Sequence, residues 1–315
     1  MRSETVSVQD QVVGDRYAIY HADTVEVARG LPSNSVHFSV FSPPFASMFT
    51  YSASERDLGN SSDYRQFWRH YLYLVRESFR VMMPGRLVAI HCMDLPTSKV
   101  RDGVIGLRDF PGDIVRAYSR AGFVYHSRVT IWKDPVVAMT RTKALGLLYK
   151  QLQKDSSMSR QGIADTVIVM RKPGVNVEPV GKRPADFPVS RWQKYASPVW
   201  VVANDVDDEG FAIAGEDIDQ TDTLQVRSAR EDADEKHLCA LQLEVIRRLV
   251  ILWSNKGDTV WSPFMGIGSE GVVSLEQGRR FIGAELKSSY FGQASRNIET
   301  ASAPTKQLDM FAGVA

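Results

Sequence analysis

Four consecutive residues, Ser42-Pro43-Pro44-Phe45, place a hydroxyl, two prolines and an aromatic ring at the end of the apolar run Val36–Phe41. Proline has no amide donor and restricts its predecessor, so the pair ends the strand and stiffens the turn. A rigid turn explains the prolines alone; serine before them and phenylalanine after them add an acceptor and a flat apolar surface. A second signal lies far downstream. Gly266, Gly268 and Gly271 follow an apolar strand pattern and open a helical one, with the spacing G-x-G-x-x-G. Glycines there allow a tight turn and close approach of a ligand to the helix N-terminus. Glu285 ends the next strand pattern, "FIGAE", where a carboxylate can bond both hydroxyls of a ribose.

These residues need a scaffold. Strand patterns at 17–21, 36–41, 86–92 and 124–132 alternate with helical spacing from Thr24, over 63–82 and up to Gly122. Such alternation predicts an α/β sheet covered on both faces. The rhythm breaks from about 134 to 235, which reads as an insert. A helix is expected over 236–253, then two more strands and an unstructured tail. The expected divisions are an N-terminal extension 1–16, a catalytic half 17–133, the insert 134–235, a cofactor half 236–300 and a tail 301–315.

The chain has 315 residues and a formal net charge of only +1. Its charges are nonetheless segregated. Twelve Lys/Arg face five Asp/Glu between Lys133 and Lys194, and eight acidic residues without a basic one follow between Asp205 and Asp222. A neutral protein can thus present a basic face to a polyanion, with the acidic run as a solvated loop pointing away. Two distant cysteines, Cys92 and Cys239, give no zinc spacing and suggest a reducing, cytoplasmic setting. The polar N-terminus has no secretory pattern.

A nicotinamide dehydrogenase needs a long chain after its glycine loop to complete the sheet, and only about 30 residues follow Glu285. The remaining strands must therefore come from the N-terminal half. With "SPPF" first, an irregular region next, and "FMGIG" at 264–268 last, the chain resembles the permuted, β-class amino-group DNA methyltransferases, particularly orphan and phage-borne members. The resemblance spans nearly the whole chain. It implies a Rossmann-like, circularly permuted, S-adenosylmethionine-dependent methyltransferase sheet with an inserted target-recognition region. It also implies double-stranded DNA as partner, in a bacterial or phage-infected bacterial cell.

Residue by residue, the resemblance assigns Phe264, Gly266 and Gly268 to the methionine pocket, Ser269 to the helix start and Glu285 to the ribose. Asp23 falls where the family places an acid near the adenine amino group; an N-cap for the following helix explains it equally. His237 would touch the methionine moiety or serve the helix end. Ser42 Oγ and the Pro43 carbonyl would accept the two hydrogens of an exocyclic amino group and free its lone pair for attack. Serine is a weak base, so proton loss is expected after attack, toward solvent. Pro44 holds the turn, and Phe45 would stack on a flipped base.

Phe49 and Tyr51 are candidates for filling the gap in the duplex, or for ordinary loop packing. Trp132 would offer a second stacking surface or close the core. Lys133 would lie near the pocket, and Arg141, Lys143, Lys150, Lys154, Arg160, Arg171 and Lys172 would lie along phosphates. The tail peptide Gln307-Leu308-Asp309-Met310-Phe311 resembles the segment by which bacterial proteins dock on the sliding clamp.

Neither cysteine follows a proline, which disfavours cytosine-C5 chemistry. Between the amino reactions, the serine favours N4-cytosine over N6-adenine. A non-catalytic DNA-binding protein is the other alternative, as is the modification half of a restriction system for an active enzyme.

Overall fold

The computed structural model describes residues 8–45, 63–133, 149–202, 216–219, 221–224 and 241–303. Its strands in chain order are β1 (Val8–Gly14), β2 (Tyr17–Ala22), β3 (Val36–Phe41), β4 (Met82–Met93), β5 (Leu95–Thr97), β6 (Gly106–Arg108), β7 (Val124–Lys133), β8 (Asp165–Arg171), β9 (Val199–Val202), β10 (Glu216–Ile218), β11 (Thr259–Ser262) and β12 (Arg280–Glu285). Ten of them form one sheet in the order β1-β2-β12-β11-β3-β4-β8-β7-β9-β10, and β5 and β6 form a separate hairpin. The run from β2 to β4 is parallel throughout. Strands β11 and β12, last in sequence, lie between β2 and β3. The glycine loop after β11 therefore opens beside the tetrapeptide after β3.

Near-continuous apolar strands such as β3 and β8 need cover on both faces. One face buries Phe38, Val40 and Val260 against Val245, Leu249, Val273 and Ile298, from the helices Leu243–Trp253, Ser269–Glu276 and Ser288–Ser302. The other buries Phe41, Val88, Ile90 and Ile168 against Phe67, Tyr71, Phe110 and Tyr118, from the helices Tyr64–Val81 and Phe110–Arg120. No helix among the described residues is long and apolar enough to cross a membrane.

Several expected divisions change. Residues 8–14 belong to the sheet, because β1 pairs antiparallel with β2. The supposed insert supplies three strands. β8, a run of six buried residues, sits between β4 and β7 and is antiparallel to both. β9 and β10 extend that edge, so part of the acidic run is an edge strand rather than loop. The described part of this stretch keeps two short helices, Tyr149–Lys154 and Val189–Tyr195, and its strands stay in the sheet, with β8 entering antiparallel. Antiparallel neighbours need no crossover helix. The helix expected over 236–253 begins at Leu243.

Candidate active site

The convergence of side chains follows from register. β4 and β7 both run against β8, so their C-terminal ends and the start of β8 meet at one edge. Asp165 stands opposite Met93 on β4 and Ile131 on β7. His91 and Lys133, each two residues away, share its face as diagonal neighbours. β3 is parallel to β4, so Ser42, the residue after it, meets His91.

The four side chains are connected. Ser42 Oγ lies 2.8 Å from His91 Nδ1, and His91 Nε2 lies 2.8 Å from Asp165 Oδ2. Lys133 Nζ donates to the same carboxylate oxygen. Burial alone would push the Asp165 carboxyl up, but the charges of Lys133 and His91 overcome it and hold the group well below the usual carboxylate range. An ionised carboxylate can only accept, so His91 Nε2 carries the proton. In the neutral ring Nδ1 then accepts the Ser42 hydroxyl hydrogen, which leaves the lone pairs of Oγ for another donor. Phe45 is buried, its ring edge-on to His91 at 6.4 Å and to Phe110 at 6.5 Å between centroids.

The glycine loop is built differently. Gly266 has φ +51°, and a Cβ there would meet nothing within 4 Å, so the loop faces open space. Gly271 has another use: a Cβ would come within 2.7 Å of Ile298 and 2.8 Å of Phe281, so this glycine lets helix and sheet pack closely. Glu285 closes the loop, accepting the Gly266 amide at 3.0 Å and the Lys287 amide at 2.9 Å. Phe264 packs on Phe41 and Tyr71, which ties the loop to the strand carrying the tetrapeptide. Ser269 opens its helix as expected. Glu270 beside it is buried; burial first, then the nearby Glu285 charge, pushes its carboxyl up to about 8. An open, left-handed glycine turn next to a strand-end carboxylate suits an adenosyl cofactor.

Other expected positions fare unevenly. Asp23 caps the helix Thr24–Gly30, accepting from Val25 N at 2.8 Å. Lys133 is spent on Asp165 inside the protein rather than on a phosphate. Lys172 is buried and donates to Asn34 Oδ1 at 2.7 Å and the Met82 carbonyl at 2.8 Å, so it does not reach DNA. Arg160 donates to the Gly106 carbonyl at 2.8 Å. Lys150, Lys154 and Arg171 are exposed, and Trp132 is half-buried. Phe49, Tyr51, Arg141, Lys143, His237 and the tail peptide at 307–311 lie outside the described residues. The sequence reading missed His91 and Asp165. The available signal was a histidine and an aspartate, each at the end of an otherwise apolar run.

A sheet carrying an open glycine loop beside a serine–proline–proline turn suits an S-adenosylmethionine-dependent DNA methyltransferase. Comparison with known proteins agrees. A DNA methylase family model matches residues 36–296, and the chain belongs to that family, the N6/N4 DNA methylases. It is 25% identical over 289 residues to the type II methyltransferase M.Cfr9I of Citrobacter freundii, covering 89% of this chain and 87% of that one. Among solved structures it resembles a putative DNA modification methylase of Thermus thermophilus complexed with S-adenosylmethionine. That match has a TM-score of 0.62 at 22% identity, over 91% of this chain and 94% of the other. The cytosine-N4-specific PvuII DNA methyltransferase matches in fold with a TM-score of 0.58 at 12% identity, over 92% and 90% of the two chains.

Proposed function

We infer that the protein methylates the exocyclic amino group of a base flipped out of double-stranded DNA, with N4 of cytosine as the target. The observation carrying this reading is the bond from Ser42 Oγ to a His91–Asp165 pair, at the strand end beside the glycine loop. The order of tetrapeptide before glycine loop, with β11 and β12 inserted between β2 and β3, supports a circularly permuted chain. The preference for cytosine rests on serine as first residue of the tetrapeptide; N6 of adenine is the second reading.

Phe264, Gly266, Gly268 and Glu285 hold the cofactor, Glu285 through ribose hydroxyls. Bound there, the cofactor supplies an electrophilic methyl on a sulfonium. An amino nitrogen is a poor nucleophile while its lone pair is delocalised into the ring. Ser42 Oγ and the Pro43 carbonyl, each accepting one amino hydrogen, favour a pyramidal nitrogen with its lone pair free. Acceptors aimed in advance at the reacting group cost no reorganisation during reaction.

The Ser42–His91–Asp165 contacts support a route for the released proton through the protein, as an alternative to the direct loss to solvent expected from sequence. As the amino nitrogen gives its proton to Ser42 Oγ, the hydroxyl proton passes to His91 Nδ1. The resulting imidazolium faces the Asp165 carboxylate, whose ionised state Lys133 maintains. Phe45 is buried edge-on against His91 and Phe110, so stacking on an entering base requires its ring to turn out of the wall.

Digestion of DNA treated with the purified protein, followed by nucleoside mass spectrometry, tests the reading. N4-methylcytosine is expected. N6-methyladenine would transfer the same site to the second reading, and 5-methylcytosine would refute amino chemistry. Delivery to DNA by the tail is a separate proposal: clamp protein should retain the full chain and release one ending at Pro304.

A further inference from the structure

We propose that the β5–β6 hairpin is the wedge that enters the DNA duplex and holds open the gap left by the flipped base. The proposal rests on the DNA reading above.

The hairpin grows out of the catalytic wall. It leaves the sheet four residues after His91 and ends two residues before Phe110, and both rings contact Phe45. Its stem is fixed at several points. Leu95 is buried in the core beside Phe110. Leu95, Pro96 and Thr97 pair with Arg108, Leu107 and Gly106. The Arg108 guanidinium lies 4.1 Å over the Tyr64 ring, and Arg160 bonds the Gly106 carbonyl. The tip is set by Gly103, whose φ of +75° a residue with Cβ rarely adopts, and by Asp102, which accepts the Ser98 amide at 2.8 Å.

This rigid tip presents apolar side chains to solvent. Val100 is fully exposed at 101%, Val104 is 60% exposed, and Ile105 and Leu107 are each 44% exposed. Four exposed aliphatic residues within eight positions form a patch of the kind that marks an interaction surface. Position identifies the partner: the stem continues the wall that His91 and Phe110 form around Phe45. Lys99 and Arg101 stand in the tip segment, whereas Arg108 is spent on Asp102 at 3.2 Å and on the Tyr64 ring, and Asp94 and Asp109 flank the stem. Aliphatic side chains on a hairpin rooted in that wall fit a stacked base step, where apolar wedges unstack neighbours and kink the duplex.

The wedge works on base extrusion rather than on chemistry, and that separates it from Ser42 and His91. Extrusion is cheapest for a base already unpaired. The test uses short duplexes centred on the site mapped by sequencing DNA that the wild-type protein has methylated. In one the target base is paired; in the other it faces an abasic position. The double variant Val104→Ser, Ile105→Ser is expected to lose about tenfold or more in single-turnover rate on the paired duplex. On the orphaned target it should stay within about twofold of wild type. Unchanged stabilisation by S-adenosylhomocysteine confirms that the variant is folded.

Wild-type rates by the variant on both duplexes would overturn the proposal. So would equal losses on both, which would make the hairpin a general docking element. Absence of any methylated site in DNA treated with the wild-type protein would overturn the DNA reading itself, and the wedge with it.

Discussion

Two histidine–carboxylate–cation groups stand at opposite ends of the same strands. At the C-terminal end of β3 and β4 are Ser42, His91, Asp165 and Lys133. At the N-terminal end are His37, Glu178, Asp258 and Arg86. The second group has donor atoms of His37, Glu178 and Asp258 within 4.8 Å of one another, close enough to suggest a metal site. Its hydrogen bonding argues otherwise. His37 Nδ1 accepts the Thr259 amide at 3.2 Å, so in the neutral ring Nε2 carries the proton and donates to Glu178 at 3.2 Å. No ring lone pair is left for a metal. Asp258 bonds the buried Arg86 at 3.0 Å and the Asn255 amide at 2.8 Å. These bonds fasten strands to one another. In the first group the imidazole receives a hydroxyl instead of an amide, and a hydroxyl still has lone pairs to offer. That one exchange separates a clasp from the proposed catalytic group.

The sharpest way to break the comparison is to remove one partner from each group. Asp258→Ala strands a buried guanidinium and should lower stability by about 3–5 kcal/mol, while transfer per folded molecule is unchanged; urea unfolding with active-site-normalised rates checks both. Ser42→Ala should do the reverse. Single-turnover methyl transfer should fall about 10²–10³-fold, with stability and S-adenosylhomocysteine binding unaltered, since only an acceptor aimed at the reacting group is lost. A clasp-like loss of stability in Ser42→Ala would erase the distinction.

The two acids that titrate abnormally behave oppositely with pH. The folded-state pKa of Asp165 is depressed, so its contribution is complete above the ordinary aspartate value of about 3.9 and disappears as pH falls through the folded value. Asp165→Asn should therefore flatten the acid limb of stability. Glu270 is raised to about 8, so its contribution is complete below the ordinary glutamate value of about 4.3 and is lost as pH rises through about 8. Glu270→Gln should remove the decline in thermal midpoint over that window. The smallest effect belongs to the clasp's rim: Glu178 is 55% exposed at its side chain, and Glu178→Ala should cost less than about 1 kcal/mol.

The sequence exposes what is local in the chain and hides what the sheet assembles. The tetrapeptide, the glycine loop and Glu285 each announce themselves within a few residues of a strand end. Their roles depend on local turns, which short motifs encode. His91, Asp165 and Lys133 come from three strands and meet only because β8 enters antiparallel between β4 and β7. Its six-residue apolar run was visible, but it lay between short helices and polar segments and so read as an insert. Charge misled in the same region. Lys172 looks like a phosphate ligand and Lys133 like a DNA contact near the pocket, yet both are committed to internal partners. Composition cannot report which way a side chain faces.

The claim that most needs testing is that Ser42 and the His91–Asp165 pair act as one unit. Single-turnover methyl transfer by Ser42→Ala, Asp165→Asn and the double variant measures it, with S-adenosylhomocysteine stabilisation confirming folded sites. Groups that work as a unit are strongly non-additive. The account predicts that the double variant is no slower than the slower single variant. Losses that multiply would show Ser42 working without its histidine, and would contradict the account.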